Sequence, residues 1–389
     1  MTTIAIIGAG IGGLTLAALL QQRGFDVQVY EQARQFSRVG AGIQQSANAL
    51  KVLRTLGLEA RLRESAFRPR SWDNREWDSG VRKHELPLGD AFEQRYGAPY
   101  LLMHRGDLHA AIASAVDASR VHLGHTLQDL QDDGSGVSLQ FADGRSVRAD
   151  AVIGADGVHS RVREWMLGAE EPRFTGRVAY RTTFPAALLK GAPVDDCTKW
   201  WGPDRHIVIY YITPRRDELY FVTSVPEPQT RQESWSAKGD LDQLRTAFAG
   251  FHPQVQTVLQ ACPEVHKWAL YERDPLPTWS RGRVALLGDA CHPMVPYMAQ
   301  GATSAIEDAA VLVRCLQEGG SWPEIFGRYE ATRRERASQI QLTSHRNQWM
   351  STRTDPDWVY GYDAWAVPLA PRGDYAATTF TTALTPAEP

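Results

Sequence analysis

The opening stretch IAIIGAGIGG, followed by LTLAALLQQRG and DVQVYEQ, leaves the chain few folds to choose from. A short β-branched run enters a turn with glycines at 8, 10 and 13. A segment with helical apolar spacing follows, stops at Gly24, and gives way to a second strand ending in Glu31. Strand, glycine turn, helix, strand and terminal acid is the order a dinucleotide-binding βαβ unit requires. Gly8 suits the tight turn, Gly10 lets backbone approach a pyrophosphate, and Gly13 lets helix and strand pack closely. The helix amino terminus faces the phosphates, and Glu31 is placed to accept hydrogen bonds from ribose hydroxyls. The expected class is α/β, with a bound adenine dinucleotide. This unit alone does not choose between NAD and FAD.

Composition narrows the partners. At 389 residues the chain is long enough for two packed domains or one with an insertion. A net charge of −3 gives no reason to expect nucleic acid or a membrane surface as partner. Cys197, Cys262, Cys291 and Cys315 are scattered without C-x-x-C spacing, so reduced thiols are expected rather than disulfides or metal ligands. No run of about 18 apolar residues is present, so no spanning helix is expected. MTTIAIIGAG goes directly into a strand without a signal-peptide pattern, so the expected location is cytoplasmic.

Two later segments repeat the layout of an acid at the end of a strand. VSLQFADGRSVRADAVIGADGVHSRVRE reads as a hairpin turning at Asp143-Gly144, then a strand over Ala151 to Ile153 ending in Gly-Ala-Asp-Gly. Asp156 either meets a cofactor crevice there or caps the helix that follows; the segment favours neither. VALLGD ends in Asp289, and the amides of Gly301 and Ala302 open a helix shortly after it. Two such acids make sense if both face one extended ligand, with Asp289 near a ribitol hydroxyl or the pyrophosphate. The helix amino terminus at Gly301 and Ala302 would point at another electron-rich group.

The glycine turn with Glu31, GADGVHSRVR, and RVALLGDACHPMVPYMAQGATSAIEDA together resemble the three signatures of single-component FAD-dependent aromatic hydroxylases, the salicylate and 4-hydroxybenzoate hydroxylase family. The resemblance implies bound FAD and a transient NADH cosubstrate, with no second glycine turn to hold the nicotinamide nucleotide. It implies that Asp289 binds the ribityl chain, and that the helix start at Gly301 holds the flavin pyrimidine oxygen. Arg105, in HRGDLHAAI, matches an arginine near the cofactor; the alternative is a surface capping charge. The implied reaction passes through a flavin C4a-hydroperoxide that attacks an electron-rich ring carbon, using dioxygen. An aromatic acid is the implied substrate, and a homodimer is compatible with the family.

The middle of the chain turns to aromatic-rich strands: RVAYRTTFP, then CTKWWGPDRHIVIYYITPRRDELYFVTSV. In HIVIYYI, period-2 alternation puts His206, Val208 and Tyr210 on one face. A sheet over the flavin would present His206 and Tyr210 together; the alternative is a half-buried strand with a polar surface face. Flavin-binding units flank this segment, so interleaved domains are expected. These are a discontinuous Rossmann-like FAD-binding domain over 1–70, 100–173 and 270–350, and a mixed-sheet substrate domain over 71–99 and 174–269. A carboxy-terminal tail is expected over 351–389.

The resemblance is strongest to the pyridine-acid branch of the family, on CTKWWGPDRHIVIYY, RDELYFVTSVPE, DPLPTWSRGR and DPDWVYGYD. It places Cys197, His206 and Tyr210 at substrate-pocket positions, with His206 and Tyr210 as catalytic candidates. Gln44 and Tyr297 occupy two further pocket positions where that branch carries histidine. The expected activity is decarboxylative hydroxylation of 6-hydroxynicotinate to 2,5-dihydroxypyridine. A salicylate- or hydroxybenzoate-type hydroxylase is the alternative. A flavin halogenase lacks its tryptophan-rich motif here, and an NAD-dependent dehydrogenase leaves GADG and LLGDACHP unexplained. A non-catalytic flavin sensor would be separated from an enzyme by NADH oxidation that depends on an aromatic acid.

Overall fold

In the computed structural model, which describes residues 2–38, 41–227 and 237–373, the first strand (Thr3–Ile7) lies inside a six-stranded sheet. The sheet order is Ser280–Arg281, Val284–Leu286, Ala151–Gly154, Thr3–Ile7, Asp26–Glu31, Val121–Leu123. All neighbours run parallel except the Ser280–Arg281 and Val284–Leu286 pair. Ile4, Ile6, Val27, Val29, Val152 and Ile153 are fully buried, as continuous apolar strands must be when both sheet faces are covered. The helix Ile11–Gln21 returns the chain across this sheet. It packs against the helix Gly301–Glu318, which in turn packs on Trp322–His345.

Two glycines show why the helix can sit so close to its strand. Gly8 has φ +105°, and a Cβ there would stand 2.3 Å from the Ala155 carbonyl oxygen. A Cβ on Gly13 would stand 2.1 Å from the Gly8 carbonyl oxygen. Both side chains are excluded by contact with backbone, which cannot yield as a flexible side chain can.

A second, seven-stranded sheet has the order His266–Glu272, Arg173–Pro185, Glu218–Pro226, His206–Tyr211, Cys197–Trp201, Ser71–Glu76, Arg82–Pro87. It is antiparallel apart from the pairing of Cys197–Trp201 with Ser71–Glu76. Its strands come from chain segments that alternate with those of the first sheet. The strand His266–Glu272 runs across the boundary expected at residue 270. The hairpin turning at Asp143-Gly144 forms as expected, within a separate three-stranded sheet. Of the stretch 351–389 expected as a tail, residues 374–389 lie outside the described residues, while Val359, Tyr360 and Ala364 are fully buried in the core. The four cysteines are unpaired and buried. Among the described residues no helix is long and apolar enough to cross a membrane.

The helix Gly301–Glu318 carries two adjacent acids, Glu307 and Asp308, both without solvent exposure. Arg333, equally buried, lies 2.8 Å from each carboxylate. Asp308 also accepts from His292 at 2.6 Å and from the Gly288 amide at 3.1 Å. Glu307 accepts from Asn48 at 2.6 Å and pairs with Arg336 at 2.9 Å. Asn48 further donates to Gln300, whose amide donates to Ser46. Burial alone would raise the Asp308 carboxyl, but His292 and Arg333 draw it down to about 2.

Arg333→Met should therefore destabilise the protein by roughly 3–5 kcal/mol, because it strands two buried carboxylates. Chemical or thermal unfolding of wild type and variant measures this. The sign of the pH effect follows from Asp308: its folded pKa lies below the ordinary value of about 3.9. Its stabilisation is thus complete above about pH 4 and disappears as pH falls through about 2. Unfolding midpoints recorded across that window should fall more steeply for wild type than for Arg333→Met.

Candidate active site

The carboxyl ends of strands Thr3–Ile7, Ala151–Gly154 and Val284–Leu286 open onto a cavity of about 390 Å³ that the seven-stranded sheet closes from the other side. Crevices at the carboxyl ends of parallel strands are where α/β sheets bind ligands. Gly10, Ile11, Gly12 and Gly13 form one wall at the amino terminus of the first helix. A Cβ on Gly10 would meet nothing within 4 Å, so this glycine leaves room along exposed backbone amides for an anionic group. Glu31 lies just behind that turn rather than on the cavity wall. Its two carboxylate oxygens accept the amides of Ala9 and Ala33, each at 2.8 Å, and each oxygen keeps a further lone pair.

Asp289 follows the Val284–Leu286 strand and lines the cavity. The area it exposes is cavity surface, since protein surrounds the carboxyl closely enough for burial to push its pKa up. It takes no hydrogen bond among the described residues. Gly301 stands opposite, at the start of its helix, where an added Cβ would lie 3.8 Å from Asp289 Oδ1. Ala302 lines the cavity beside it. The loop between them holds Ala299 in a left-handed conformation, φ 54°, which costs a side-chain-bearing residue about 1–2 kcal/mol. Arg105 opens the helix Arg105–Ala113 and lines the same cavity, while keeping solvent exposure.

Asp156 has a different position. Its carboxylate accepts from Ser160 Oγ at 2.5 Å and from the amides of Arg161 and Val162 at 2.8 and 3.2 Å. With Ser160, the N-cap residue whose hydroxyl accepts from the Arg163 amide, it satisfies the first amides of the helix Arg161–Leu167, as short acids do well. Its neighbours Ala155, Gly157, Val158 and His159 line the cavity instead.

The sheet face opposite is a grid. His206, Val208 and Tyr210 share it, and all six residues of their strand are buried, which overturns the alternative of a polar surface face. Directly across the strands, Ser224, His206 and Trp201 form one row. Arg181, Val222, Val208 and Lys199 form the next. Thr183, Tyr220, Tyr210 and Cys197 form the third. Cys197 shares the face but stands behind Tyr210, outside the cavity wall, and burial pushes its thiol pKa well up. Burial likewise holds the His206 imidazole well below its ordinary pKa, helped by Lys199 and Arg177, so it is neutral at pH 7. The Tyr210 phenol is raised well above 10 by burial and is a donor at neutral pH. Gln44 lines the cavity, accepts from Tyr100, and pairs with the Tyr210 hydroxyl. Tyr297 is stacked edge-on to His206, ring centroids 5.3 Å apart, and its hydroxyl is 2.8 Å from Ser224 Oγ.

Lys199 and Arg181 are cavity residues that pattern reading passed over. Their signal was present: a lysine directly before two tryptophans in CTKWW, and an arginine after Tyr180 in RVAYRTTFP, each inside an aromatic-rich strand. Among the described residues no group of three or more His, Cys, Asp or Glu side chains is arranged to hold a metal.

Comparison with known proteins agrees with this geometry. The family described as FAD binding domain matches residues 1–344. The chain belongs to the FAD-dependent monooxygenases. A relative in Bordetella bronchiseptica named 6-hydroxynicotinate 3-monooxygenase is 50% identical over 370 residues, covering 94% of this chain and 96% of that protein. A Streptomyces cremeus protein named 3-amino-4-hydroxybenzoate 2-monooxygenase is 38% identical, covering 95% of this chain and 98% of the relative. Among solved structures, Klebsiella pneumoniae HpxO complexed with FAD and uric acid superposes with TM-score 0.80 at 29% identity, covering 92% of this chain and 90% of the other. The monooxygenase's cofactor is FAD, and the open glycine cradle and free Asp289 carboxylate fit it.

Gly301→Val tests the flavin end of the cavity. A Cβ there meets only Met294 Cγ at 3.7 Å and Asp289 Oδ1 at 3.8 Å, so the fold should tolerate the side chain while the crevice loses space. The variant should keep its unfolding temperature without flavin and purify with little FAD. Asp289→Ala should weaken FAD retention by roughly 1–3 kcal/mol, read from the flavin absorbance of the purified protein. Full flavin content in both variants would refute this placement.

Proposed function

We propose that this flavoprotein is an NADH-dependent aromatic hydroxylase acting on a hydroxylated pyridine carboxylate, 6-hydroxynicotinate, to give 2,5-dihydroxypyridine with loss of carbon dioxide. The observation that carries the reading is the grid face bearing His206 and Tyr210, set across one cavity from Asp289 and Gly301. The near-full-length likeness to a protein named for that activity supports the substrate. Bound FAD would supply hydride acceptance from NADH and activation of dioxygen, one oxygen atom going to the ring and the other to water.

The chain's own groups have three tasks. The cavity walls, mainly apolar side chains and backbone, limit water beside the reacting ring. Tyr210, held by Gln44, donates a hydrogen bond to a ring oxygen and steadies negative charge there. Neutral His206 can accept a proton at the opposite edge of the grid. Glutamine has no titratable proton, so Gln44 acts by positioning Tyr210. Cys197, behind Tyr210, supports its packing. Glu31, Arg105, Gly301 and Ala302 serve the cofactor, Glu31 by fixing the glycine turn. The hydroxybenzoate reading remains the second choice, favoured by the Streptomyces relative and by Gln44 and Tyr297 in place of histidines.

Tyr210→Phe should lower the hydroxylation rate by about 10²-fold while leaving FAD content unchanged. The substrate is settled by scoring NADH consumption, dihydroxypyridine and carbon dioxide together. Equal amounts of all three from 6-hydroxynicotinate support the reading. NADH oxidation yielding only hydrogen peroxide, or productive turnover confined to a benzoate, would overturn it.

A further inference from the structure

The row of Ser224, His206 and Trp201 has a support that lies outside the reaction cavity. The His206 imidazole sits between two aromatic rings, Trp201 with centroids 5.4 Å apart and Tyr297 edge-on at 5.3 Å. Trp201 is itself fixed, its indole nitrogen donating to Asn74 at 2.9 Å. Tyr297 comes from a loop and is tied to the sheet through its hydroxyl, 2.8 Å from Ser224 Oγ. Arg177 pairs with Pro226, one row beyond Ser224 and His206 on the same sheet face. Its Nε donates to Ser224 Oγ at 2.7 Å, and a terminal nitrogen donates to the carbonyls of Asp204 at 2.6 Å and Ser224 at 3.2 Å. One guanidinium therefore holds both the strand Glu218–Pro226 and the turn that leads into His206. Arg177 lines a second cavity, of about 470 Å³, which has only Val295 and Tyr297 in common with the first. It can act on the reaction only through that wall.

We propose that Arg177 is a positioning residue for the hydroxylation, fixing Ser224, Tyr297 and the turn before His206 so that the imidazole keeps one orientation toward the ring. The proposal rests on the reading of His206 as proton acceptor and names the residue that keeps it fit for that task.

A general base works only within hydrogen-bond reach of the proton it takes, so its orientation must be held. Two flanking rings restrict the imidazole only while both stay in place. A serine hydroxyl rotates freely until something orients it. By donating to Ser224 Oγ, Arg177 leaves that hydroxyl's own proton for the Tyr297 oxygen. Burial raises the Tyr297 phenol, and Ser224 and Arg177 both act against that rise. The same guanidinium bears on the charge of His206. Burial first, then Lys199 and Arg177, keep the imidazole neutral. The groups facing it are Lys199 on one neighbouring strand, Arg177 beyond Ser224 on the other side, Tyr297 from the loop and Tyr210 along its own strand; no carboxylate contributes. Only the neutral imidazole accepts a proton. Loss of the positive charge at Arg177 therefore raises the pH below which the base fails.

The test uses the FAD-loaded protein. The His206 imidazole is titrated by NMR, its signal assigned by its loss in His206→Asn, beside the pH dependence of kcat and KM for hydroxylation of 6-hydroxynicotinate. Arg177→Met should raise the imidazole pKa by at least roughly half a unit and carry the acid limb of kcat/KM upward with it. Its kcat should fall about tenfold, the value of one hydrogen bond to a charged group, with KM changed less than about twofold. Flavin content should stay at the wild-type level, since Arg177 is not part of the flavin-holding cavity. Arg177→Lys restores the charge without the planar fork, so it should return the titration close to wild type and recover part of kcat. Ser224→Ala keeps the charge and removes the link to Tyr297; it should lower kcat with the titration unchanged, and it decides the matter if Arg177→Met does not fold. An Arg177→Met protein with wild-type titration and kcat would overturn the proposal, as would one whose loss is confined to KM or to flavin content. Wild-type kcat in Ser224→Ala would do the same. A shifted titration with an unmoved acid limb would support the arrangement of the wall and overturn the reading of His206 as proton acceptor.

Discussion

Placing Glu307 and Asp308 side by side in a helix with no access to water obliges the fold to surround them with positive charge and hydrogen-bond donors. Arg333, Arg336, His292, Asn48 and the Gly288 amide meet that demand from three separate parts of the chain. The consequence is geometric more than energetic. The amino terminus of Gly301–Glu318, the turn carrying Asp289, and the helix Ala47–Thr55 are referred to one another by short polar contacts that tolerate little displacement. Asp308 and Asp289, on the two sides of this junction, show opposite treatment. Asp308 is held ionised by its partners. Asp289 has its pKa raised by burial and keeps its acceptors turned to the cavity. One acid is paired within the protein, and the other faces the cavity with no hydrogen bond among the described residues.

The cavity is correspondingly asymmetric. Its flavin side is built largely from backbone: glycines whose side chains would collide with carbonyls, a helix start, and a proline-containing loop. Its substrate side is built from side chains on a sheet, where a single replacement changes one point of the grid and leaves its neighbours in register. One side of the cavity thus depends on conformation, which few residues can supply, and the other on side-chain chemistry, which many can vary.

This difference also governs what the sequence discloses. Gly8, Gly10, Gly13 and Glu31 are close in sequence and obey a local rule, so the first βαβ unit is readable without a structure. His206, Val208 and Tyr210 are readable as one face because alternation along a strand is local too. The row from Arg181 to Lys199 is not readable, since it depends on register across four strands and no short-range pattern encodes which residues stand opposite. Asp156 illustrates the converse: cap and cofactor ligand have the same local signature, and only the hydrogen bonds to Ser160, Arg161 and Val162 separate them. The buried acids of SAIEDA look like the polar stripe of a surface helix until Arg333 is found against them.

The alternation of chain segments between the two sheets has a consequence for how such proteins diversify. Each sheet is assembled from pieces separated by pieces of the other, so no contiguous stretch of gene encodes either half. Recombination that exchanges one block for another will cut through both layers and sever the pairing within them. New substrate ranges in this architecture must therefore arise by point replacement on the inner sheet face, with the cofactor-holding half carried along unchanged. A lineage of hydroxylases would then preserve its flavin chemistry while its acid specificity drifts one side chain at a time.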